Sequence, residues 1–208
     1  MKRTRLWAGL AGTVAVATGV TVWAIQSHPT RAPESKTALA TLPKYQQVDA
    51  LMQTALLQQR QMHDSKGAAK TYGRLLKLDP HNKLAWYNLG VIAHQDGETA
   101  DARAAYDKAL KIDPKFGSAL FNEALLLKPS EPDRAIGLLK RAIAADPNAG
   151  TAYLQLGLIL AEKDRDDEAG EAFRRAVAAD PSLHSQVPEP FRDSVDPSPT
   201  SSQAGSTR

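Results

Sequence analysis

Apolar residues between positions 47 and 181 recur with the spacing of amphipathic helices. In the clearest stretch, one apolar stripe runs through the segment before Asp96-Gly97 and a second stripe runs through the segment after it. The first stripe consists of Trp86, Leu89, Gly90 and Ala93, and the second consists of Ala102, Tyr106 and Ala109. Positions three or four residues apart lie on one face of an α-helix. The pattern therefore predicts two amphipathic helices joined by a tight turn.

The same pattern returns at a fixed period along the chain. The dipeptide Asp-Pro occurs at regular intervals, with its prolines 34, 33 and 34 residues apart, at Asp79-Pro80, Asp113-Pro114, Asp146-Pro147 and Asp180-Pro181. Another unit repeats the two stripes in full, with Tyr153, Leu156, Gly157 and Leu160 followed by Ala169, Phe173 and Ala176. A constant period near 34 residues indicates a repeat protein.

These motifs closely resemble the tetratricopeptide-repeat family, whose pattern is Trp-x-x-Leu-Gly-x-x-Tyr, then Ala-x-x-x-Phe, then Pro. The resemblance covers roughly residues 47–181, with repeats at about 47–80, 81–114, 115–147 and 148–181. It implies an all-α fold, a right-handed α-solenoid of about four helix-turn-helix repeats over residues 45–181. It also implies that the small residues Gly90 and Gly157 let the second helix approach, while Tyr106 and Phe173 fill the space between helices.

Two units and the C-terminal end depart from this pattern. The first unit keeps Ala68, Tyr72 and Pro80 but has lost the Trp and Gly positions of its opening helix. The third unit has one residue fewer, and its turn predicts a Ser130 cap before Pro132 in the first helical turn. After Pro181, the residues Pro188 and Pro190 exclude a long capping helix. We therefore expect residues 182–208 to be a disordered tail, with Phe191 and Val195 available to cover the last repeat.

The N-terminal segment predicts a membrane anchor that precedes the repeats. Residues Leu6–Ile25 form a run of 20 residues without a charge, long enough for one transmembrane helix. Lys2, Arg3 and Arg5 precede it, so residues 1–5 are expected in the cytoplasm and the repeats outside it, in the cell envelope. Residues 26–44 read as a flexible linker. Cleavage of the segment as a signal peptide, which would give a secreted protein, is the alternative. Small residues four positions apart, Ala11, Ala15 and Gly19, leave a homo-oligomer open.

Charge and composition exclude several classes of function. The excess of 26 Lys plus Arg over 23 Asp plus Glu comes entirely from Lys2, Arg3 and Arg5, so the rest of the chain is neutral. A neutral body offers no field for phosphates, and we expect no nucleic-acid partner. The chain has no cysteine, and its five histidines are far apart and form no metal-ligand spacing. With no catalytic or phosphate-binding motif present, we predict neither an enzyme nor a cofactor.

The remaining surface of each first helix predicts a site for a partner protein. In the second unit, the side opposite the core stripe carries Leu84, Tyr87, Val91 and His94. By resemblance to the family, this face lines a concave groove that holds an extended or helical peptide. An apolar column of Leu57, Val91, Leu125 and Leu158 runs along it, beside a basic row of Arg60, His94 and Lys128. The candidate groove residues are Leu57, Arg60, Leu84, Tyr87, Asn88, Val91, His94, Phe121, Asn122, Leu125, Lys128, Leu154 and Leu158.

The pattern favours a partner segment with apolar anchors and some acidic residues. The alternative is that the column packs between neighbouring first helices and that the basic groups are only solvated. Two functions fit the whole chain. One is a membrane-anchored scaffold or assembly factor that binds a partner protein. The other is a non-catalytic accessory subunit of a membrane enzyme, like the repeat proteins that present clients in cytochrome c maturation.

Overall fold

The computed structural model of the protein describes residues 41–195, in which all regular secondary structure is helical and no β-strand occurs. Four helical hairpins follow one another, and each packs against the next. The paired helices are α1 (Lys44–Arg60) and α2 (Ser65–Leu78), α3 (Lys83–Gln95) and α4 (Thr99–Ile112), α5 (Gly117–Leu127) and α6 (Pro132–Ala145), and α7 (Gly150–Glu162) and α8 (Asp166–Ala179). A 3₁₀ helix (Pro181–Gln186) and a short helix α9 (Glu189–Val195) follow.

The four Asp-Pro dipeptides end the second helix of each hairpin. Each Asp is the C-cap residue and has left the helical region, with ψ between 84° and 100°, as expected for a residue that precedes proline. Three of these side chains then accept a hydrogen bond from the backbone N–H two residues later, at 3.0 Å for Asp113 and Asp146 and 2.9 Å for Asp180. The recurring dipeptide thus both stops one helix and shapes the turn into the next element.

In three of the four hairpins, the turn contains a left-handed residue two positions before the second helix begins. Gly97 fills this position in the second unit with φ 78°. His63 and Asp164 hold the equivalent positions of the first and fourth units with φ 52° and 56°. A left-handed conformation costs a non-glycine residue on the order of 1–2 kcal/mol. The turn geometry is therefore imposed by the packing of the two helices and not by local sequence alone.

The two helices of a hairpin meet where a glycine faces an aromatic ring. A Cβ added to Gly90 would lie 2.5 Å from Cε1 of Tyr106, and one added to Gly157 would lie 2.6 Å from Cε1 of Phe173. Both rings are fully buried. The third unit has Ala124 and Leu139 at the corresponding positions, also fully buried. In the third hairpin, a larger residue on the first helix is thus matched by a smaller side chain on the second.

The first hairpin is displaced by one residue relative to the second and fourth hairpins. Four residues, 61–64, separate α1 from α2, whereas three separate α3 from α4 (96–98) and α7 from α8 (163–165). The position of Gly90 is therefore held by the fully buried Ala55, and the position of Val91 by Leu56. Leu57, predicted in the apolar column, instead takes the position of Ile92. Ile92 is buried against the first unit, but Leu57 is 46% exposed, since no unit precedes it among the described residues.

The third hairpin begins its second helix one residue later than expected. Helix α6 starts at Pro132, so this proline lies in the first helical turn, as predicted. The N-cap residue, however, is Glu131 and not Ser130. The Glu131 side chain makes no capping hydrogen bond. Its carboxylate contacts Arg103 Nη1 at 2.7 Å and Arg134 Nη1 at 3.6 Å. The Glu131 carboxylate is therefore held by ion pairs and does not cap the helix.

The expectation that disorder begins at residue 182 is wrong for residues 182–195. Leu183, Val187 and Val195 are buried in the core of the last two units, and the ring centroid of Phe191 lies 5.0 Å from that of Phe173. Prolines do not prevent these short helices, because Pro181 and Pro190 stand in first turns, where a helix needs no backbone N–H. Two short elements therefore cover the end of the solenoid in place of one long helix.

The predicted transmembrane segment at residues 6–25, its basic flank, most of the linker and residues 196–208 lie outside the described residues. Within residues 41–195, no helix has both the length and the hydrophobicity needed to cross a bilayer. The membrane prediction therefore depends on the sequence alone.

Replacing Gly90 by Ala should lower the free energy of unfolding by about 1–3 kcal/mol, because the added methyl group overlaps the Tyr106 ring. Adding Tyr106→Leu creates the Ala and Leu pair of the third unit. We expect the double variant to be more stable than the two separate losses predict, by about 1 kcal/mol. Urea unfolding of the wild-type chain, both single variants and the double variant gives this coupling energy.

Gly73→Ala is the matched control, because nothing lies within 4 Å of a Cβ added in the middle of α2. It should stabilise the chain by up to about 1 kcal/mol through helix propensity. Strictly additive effects of Gly90→Ala and Tyr106→Leu would contradict the proposed size match between the two helices.

Candidate functional site

The first helices of the hairpins lie side by side, with α3 in contact with α5, and they line a groove. Its middle part is a cavity of about 380 Å³ between α3, α5 and the start of α7. We call this the middle cavity; its lining includes Tyr87, Phe116, Phe121, Asn122, Asp146 and Thr151. The Tyr87 ring centroid lies 5.2 Å from that of Phe116 in an edge-on arrangement, and Tyr87 Oη accepts a hydrogen bond from Asn122 Nδ2 at 2.9 Å.

A second cavity of about 430 Å³ adjoins it on the side of the first unit. We call this the first-unit cavity; its lining includes Gln59, Arg60, His63, Asn88, Val91 and Gln95. Tyr87 lines both cavities. One aromatic side chain therefore divides a groove that extends over the first three hairpins and reaches the fourth at Thr151.

The structure brings six of the candidate groove residues together around these two cavities, namely Arg60, Tyr87, Asn88, Val91, Phe121 and Asn122. Leu84 lies on the same face of α3, where its carbonyl accepts a hydrogen bond from Asn88 Nδ2, and its side chain is 46% exposed. His94, Leu125 and Leu158 are partly exposed, and Leu158 packs against the core of the last units.

Three other candidate residues differ from the expectation. Leu154 is only 2% exposed and belongs to the core. It lies on α7, the first helix of the fourth hairpin, which is covered by the C-terminal elements as well as by its own hairpin. Leu57 points away from the column because of the longer first turn. Lys128 Nζ lies 2.7 Å from Glu162 Oε1, so its charge is neutralised by the next hairpin. The predicted basic row is therefore reduced at its C-terminal end.

Several groove residues were missed by reasoning from helical faces. Phe116 and Asp146 stand in the turns between hairpins, directly after or within an Asp-Pro turn, and His63 stands in the turn between α1 and α2. Helical periodicity does not place turn residues. The repeat itself could have identified these turn residues. Each Asp-Pro turn leads into the first helix of the next hairpin, so equivalent turn residues lie at the same edge of the groove.

The Lys83 side chain contacts both a carboxylate and an aromatic ring at the edge of the groove. Its Nζ lies 2.6 Å from Asp113 Oδ2 and 5.2 Å from the centroid of the Phe116 ring. The hydrogen bond from Lys83 is the main reason that the pKa of the Asp113 carboxyl is lowered. A cation of this chain thus already rests on one aromatic ring of the groove.

Comparison with known proteins decides the family. The model of the tetratricopeptide repeat matches residues 55–115 and 125–184, which together make up more than half of the chain. The chain belongs to the tetratricopeptide-repeat family. This confirms the family and the all-helical repeat fold expected from the sequence motifs.

The tetratricopeptide repeats of this chain are similar to those of proteins with different roles. Photosystem I assembly protein Ycf3 of Parasynechococcus marenigrum is 33% identical over 119 residues, 51% of this chain and 69% of that protein. Human protein O-mannosyl-transferase TMTC3 is 29% identical over 116 residues, which make up only 13% of its length. The crystal structure of PilW, a type IV pilus biogenesis factor, superposes with a TM-score of 0.59 at 25% identity, covering 66% of this chain and 64% of that one.

One buried carboxyl interrupts the repeat core away from the groove. Glu123 takes the position that Leu89 and Leu156 hold in the neighbouring repeats, and its side chain is 1% exposed. Its Oε1 accepts a hydrogen bond from Arg134 Nη2 at 3.0 Å, but Oε2 has no partner among the described residues. Burial, followed by the nearby Asp107 carboxylate, raises the pKa of Glu123 to about 7. The charged form is therefore unfavourable in the folded chain.

We expect the chain to lose stability as the pH rises from about 4.5 to 7. In this range the folded state holds a proton on Glu123 that the unfolded state has released, so the free energy of unfolding falls with rising pH. Glu123→Gln keeps the shape and removes this titration. At pH 8 it should stabilise the chain by on the order of 1–3 kcal/mol, with a smaller gain at pH 5.

Thermal unfolding across pH 4 to 9 measures the effect. Glu98→Gln is the control, because Glu98 is an exposed carboxyl without an ion-pair partner among residues 41–195. Its curve should run parallel to that of the wild type. A Glu123→Gln curve that also runs parallel would show that Glu123 ionises normally in the folded chain.

Proposed function

We propose that this tetratricopeptide-repeat chain is a membrane-anchored scaffold or assembly factor, whose groove holds a segment of a partner protein. The observation that carries the proposal is the pair of adjoining cavities on either side of Tyr87. Together they form an elongated recess across three hairpins. Such a shape suits a stretch of polypeptide better than a compact small ligand.

The chemistry of the groove supports a partner with apolar or aromatic anchors. Tyr87, Phe116 and Phe121 present rings to the middle cavity, and Val91 adds an aliphatic side chain to the first-unit cavity. Burying one large apolar side chain contributes about 1.5–3 kcal/mol, whereas an exposed ion pair contributes under about 1 kcal/mol. Apolar contacts should therefore dominate affinity, and charges should select among segments.

Similar proteins and the N-terminal sequence bear on the cellular role. One relative is a photosystem assembly protein and one similar structure is a pilus biogenesis factor, which favours an assembly role here as well. The uncharged run Leu6–Ile25 after three basic residues supports an anchor with the repeats outside the cytoplasm. An accessory subunit of a membrane enzyme is the second candidate, because the same anchor and groove would serve it.

Leu84→Asp and Leu57→Asp form a matched pair that tests the groove. Both leucines are 46% exposed, but Leu84 shares a helix face with Tyr87 and Val91, and Leu57 faces away from the other described hairpins. We expect Leu84→Asp to lose proteins that co-purify with the full chain from detergent-solubilised membranes, and Leu57→Asp to keep them. Both variants should retain the wild-type helical spectrum and unfolding midpoint.

Quantitative mass spectrometry of the three preparations gives the result. One abundant enzyme at a fixed ratio supports an accessory subunit, and several clients at lower ratios support a scaffold. If Leu84→Asp retains every partner, or Leu57→Asp loses the same ones, the groove is not the recognition surface.

Membrane topology can be tested separately, because the chain has no native cysteine. Ser118→Cys places one thiol at an exposed position at the start of α5. We expect a thiol reagent that cannot cross the cell membrane to label this cysteine in intact cells. Labelling only after lysis would place the repeats in the cytoplasm. Loss of residues 1–25 from the mature chain, detected by intact mass, would instead show signal-peptide cleavage.

A further inference from the structure

The two cavities of the groove carry opposite charge. Among the described residues that line the first-unit cavity, Arg60 is the cation, His63 is titratable and none is a carboxylate. The Arg60 side chain is exposed and has no ion-pair partner within residues 41–195. This part of the groove therefore offers an unneutralised positive charge beside Tyr87.

The middle cavity has the reverse character. Asp146 is the charged residue of its described lining. Asp146 Oδ1 accepts the hydrogen bond from the Asn148 backbone N–H at 3.0 Å, and Oδ2 has no partner among the described residues. The rings of Tyr87, Phe116 and Phe121 line the same space. A carboxylate next to aromatic faces is an arrangement that binds a cation, as Lys83 does over Phe116.

Other charges near the groove do not cancel this difference. Lys83 is paired with Asp113, and Lys128 with Glu162. The charge pattern that remains runs from positive on the first unit to negative at the entrance of the fourth. It differs from the uniformly basic row expected from the sequence, because Lys128 is neutralised and Asp146 is brought in by a turn.

We infer that the groove selects a partner segment that carries both an acidic and a basic residue, the acidic one at Arg60 and His63 and the basic one at Asp146. This inference rests on the proposed function and names the chemistry of its partner. Packed helices lie about 8–10 Å apart, so cavities one to two helices apart are separated by about 15 Å. At about 3.3 Å per residue of extended chain, the two charges stand four or five residues apart.

His63 reaches the first-unit cavity from the turn between α1 and α2. Its φ of 52° is left-handed, and the equivalent turn of the second unit uses Gly97. The strained turn carries the imidazole into the lining of the first-unit cavity. A glycine there would relieve the backbone but remove the only imidazole among the described lining residues of this cavity.

The test uses the full chain in detergent micelles and four classes of fluorescein-labelled peptide. Each peptide has a blocked nine-residue Leu, Ser and Phe background with two charged positions five residues apart, as Asp with Lys in both orders, Asp with Asp, or Lys with Lys. Fluorescence anisotropy gives Kd. We expect the wild-type chain to bind the better mixed order about threefold to tenfold more tightly than either uniform class.

Charge reversal of one end should switch the preference. Arg60→Glu should favour the Lys with Lys class, and Asp146→Lys should favour the Asp with Asp class. Because Asp146 also accepts a turn hydrogen bond, Asp146→Asn is the second variant. Its amide oxygen keeps that bond, so it should lose the preference for Lys without gaining one for Asp. Unchanged circular dichroism spectra exclude unfolding as the cause.

The outcomes separate the two proposals. Equal binding of all four classes by the wild-type chain, or the same favoured class in all variants, overturns the charge inference and leaves the groove as an apolar peptide site. If no class binds the wild-type chain while Leu84→Asp still removes its co-purifying proteins, the groove binds a folded surface and the inference of a charged segment is wrong. If neither test detects groove binding, the proposed function fails as well.

Discussion

The close approach of the two helices in each hairpin is the constraint on which the rest of this structure depends. Gly90 and Gly157 have no side chain where the rings of Tyr106 and Phe173 lie, and any Cβ there would meet a ring carbon below 3 Å. This contact fixes the side of the first helix that turns inward. The opposite side, with Tyr87, Val91 and Leu84, is then left to face the groove. The recognition surface is thus a consequence of the core contact.

The Asp-Pro turns connect successive hairpins into a regular stack. Each Asp stops a helix outside the helical region, and three of the four hold the following backbone N–H group. Because the turns repeat, the first helices line up on one side, with α3 against α5. The same turns supply Phe116 and Asp146 to the middle cavity. Residues that end helices for structural reasons therefore also give the groove its ring and its negative charge.

Much of the fold could be predicted from the sequence, because the same motif occurs in several repeats and each occurrence indicates the same pair of helices. The period of the Asp-Pro turns and the helical content followed from residue spacing, and the family resemblance placed Tyr106 between the two helices. The resemblance paired Gly90 with Ala102, whereas in the structure the residue directly against Gly90 is Tyr106. The groove was harder to predict. Leu154 and Leu57 were misplaced since periodicity gives a helix face but neither the neighbouring cover nor a one-residue change in a turn. Lys128 was misjudged because its partner Glu162 is in another hairpin.

Helix α5 shows that recognition and stability are separable within one element. Phe121 and Asn122 face the middle cavity, while the next residue, Glu123, is buried on the other side against Arg134. Glu123 occupies a leucine position, and its carboxyl makes the third hairpin sensitive to pH near neutrality. A neutral carboxyl there costs less to bury than a charged one, so ionisation weakens the hairpin that holds Phe121 in place. The groove residues of α5 are consequently positioned by a core whose strength depends on one proton, although none of them titrates near that pH.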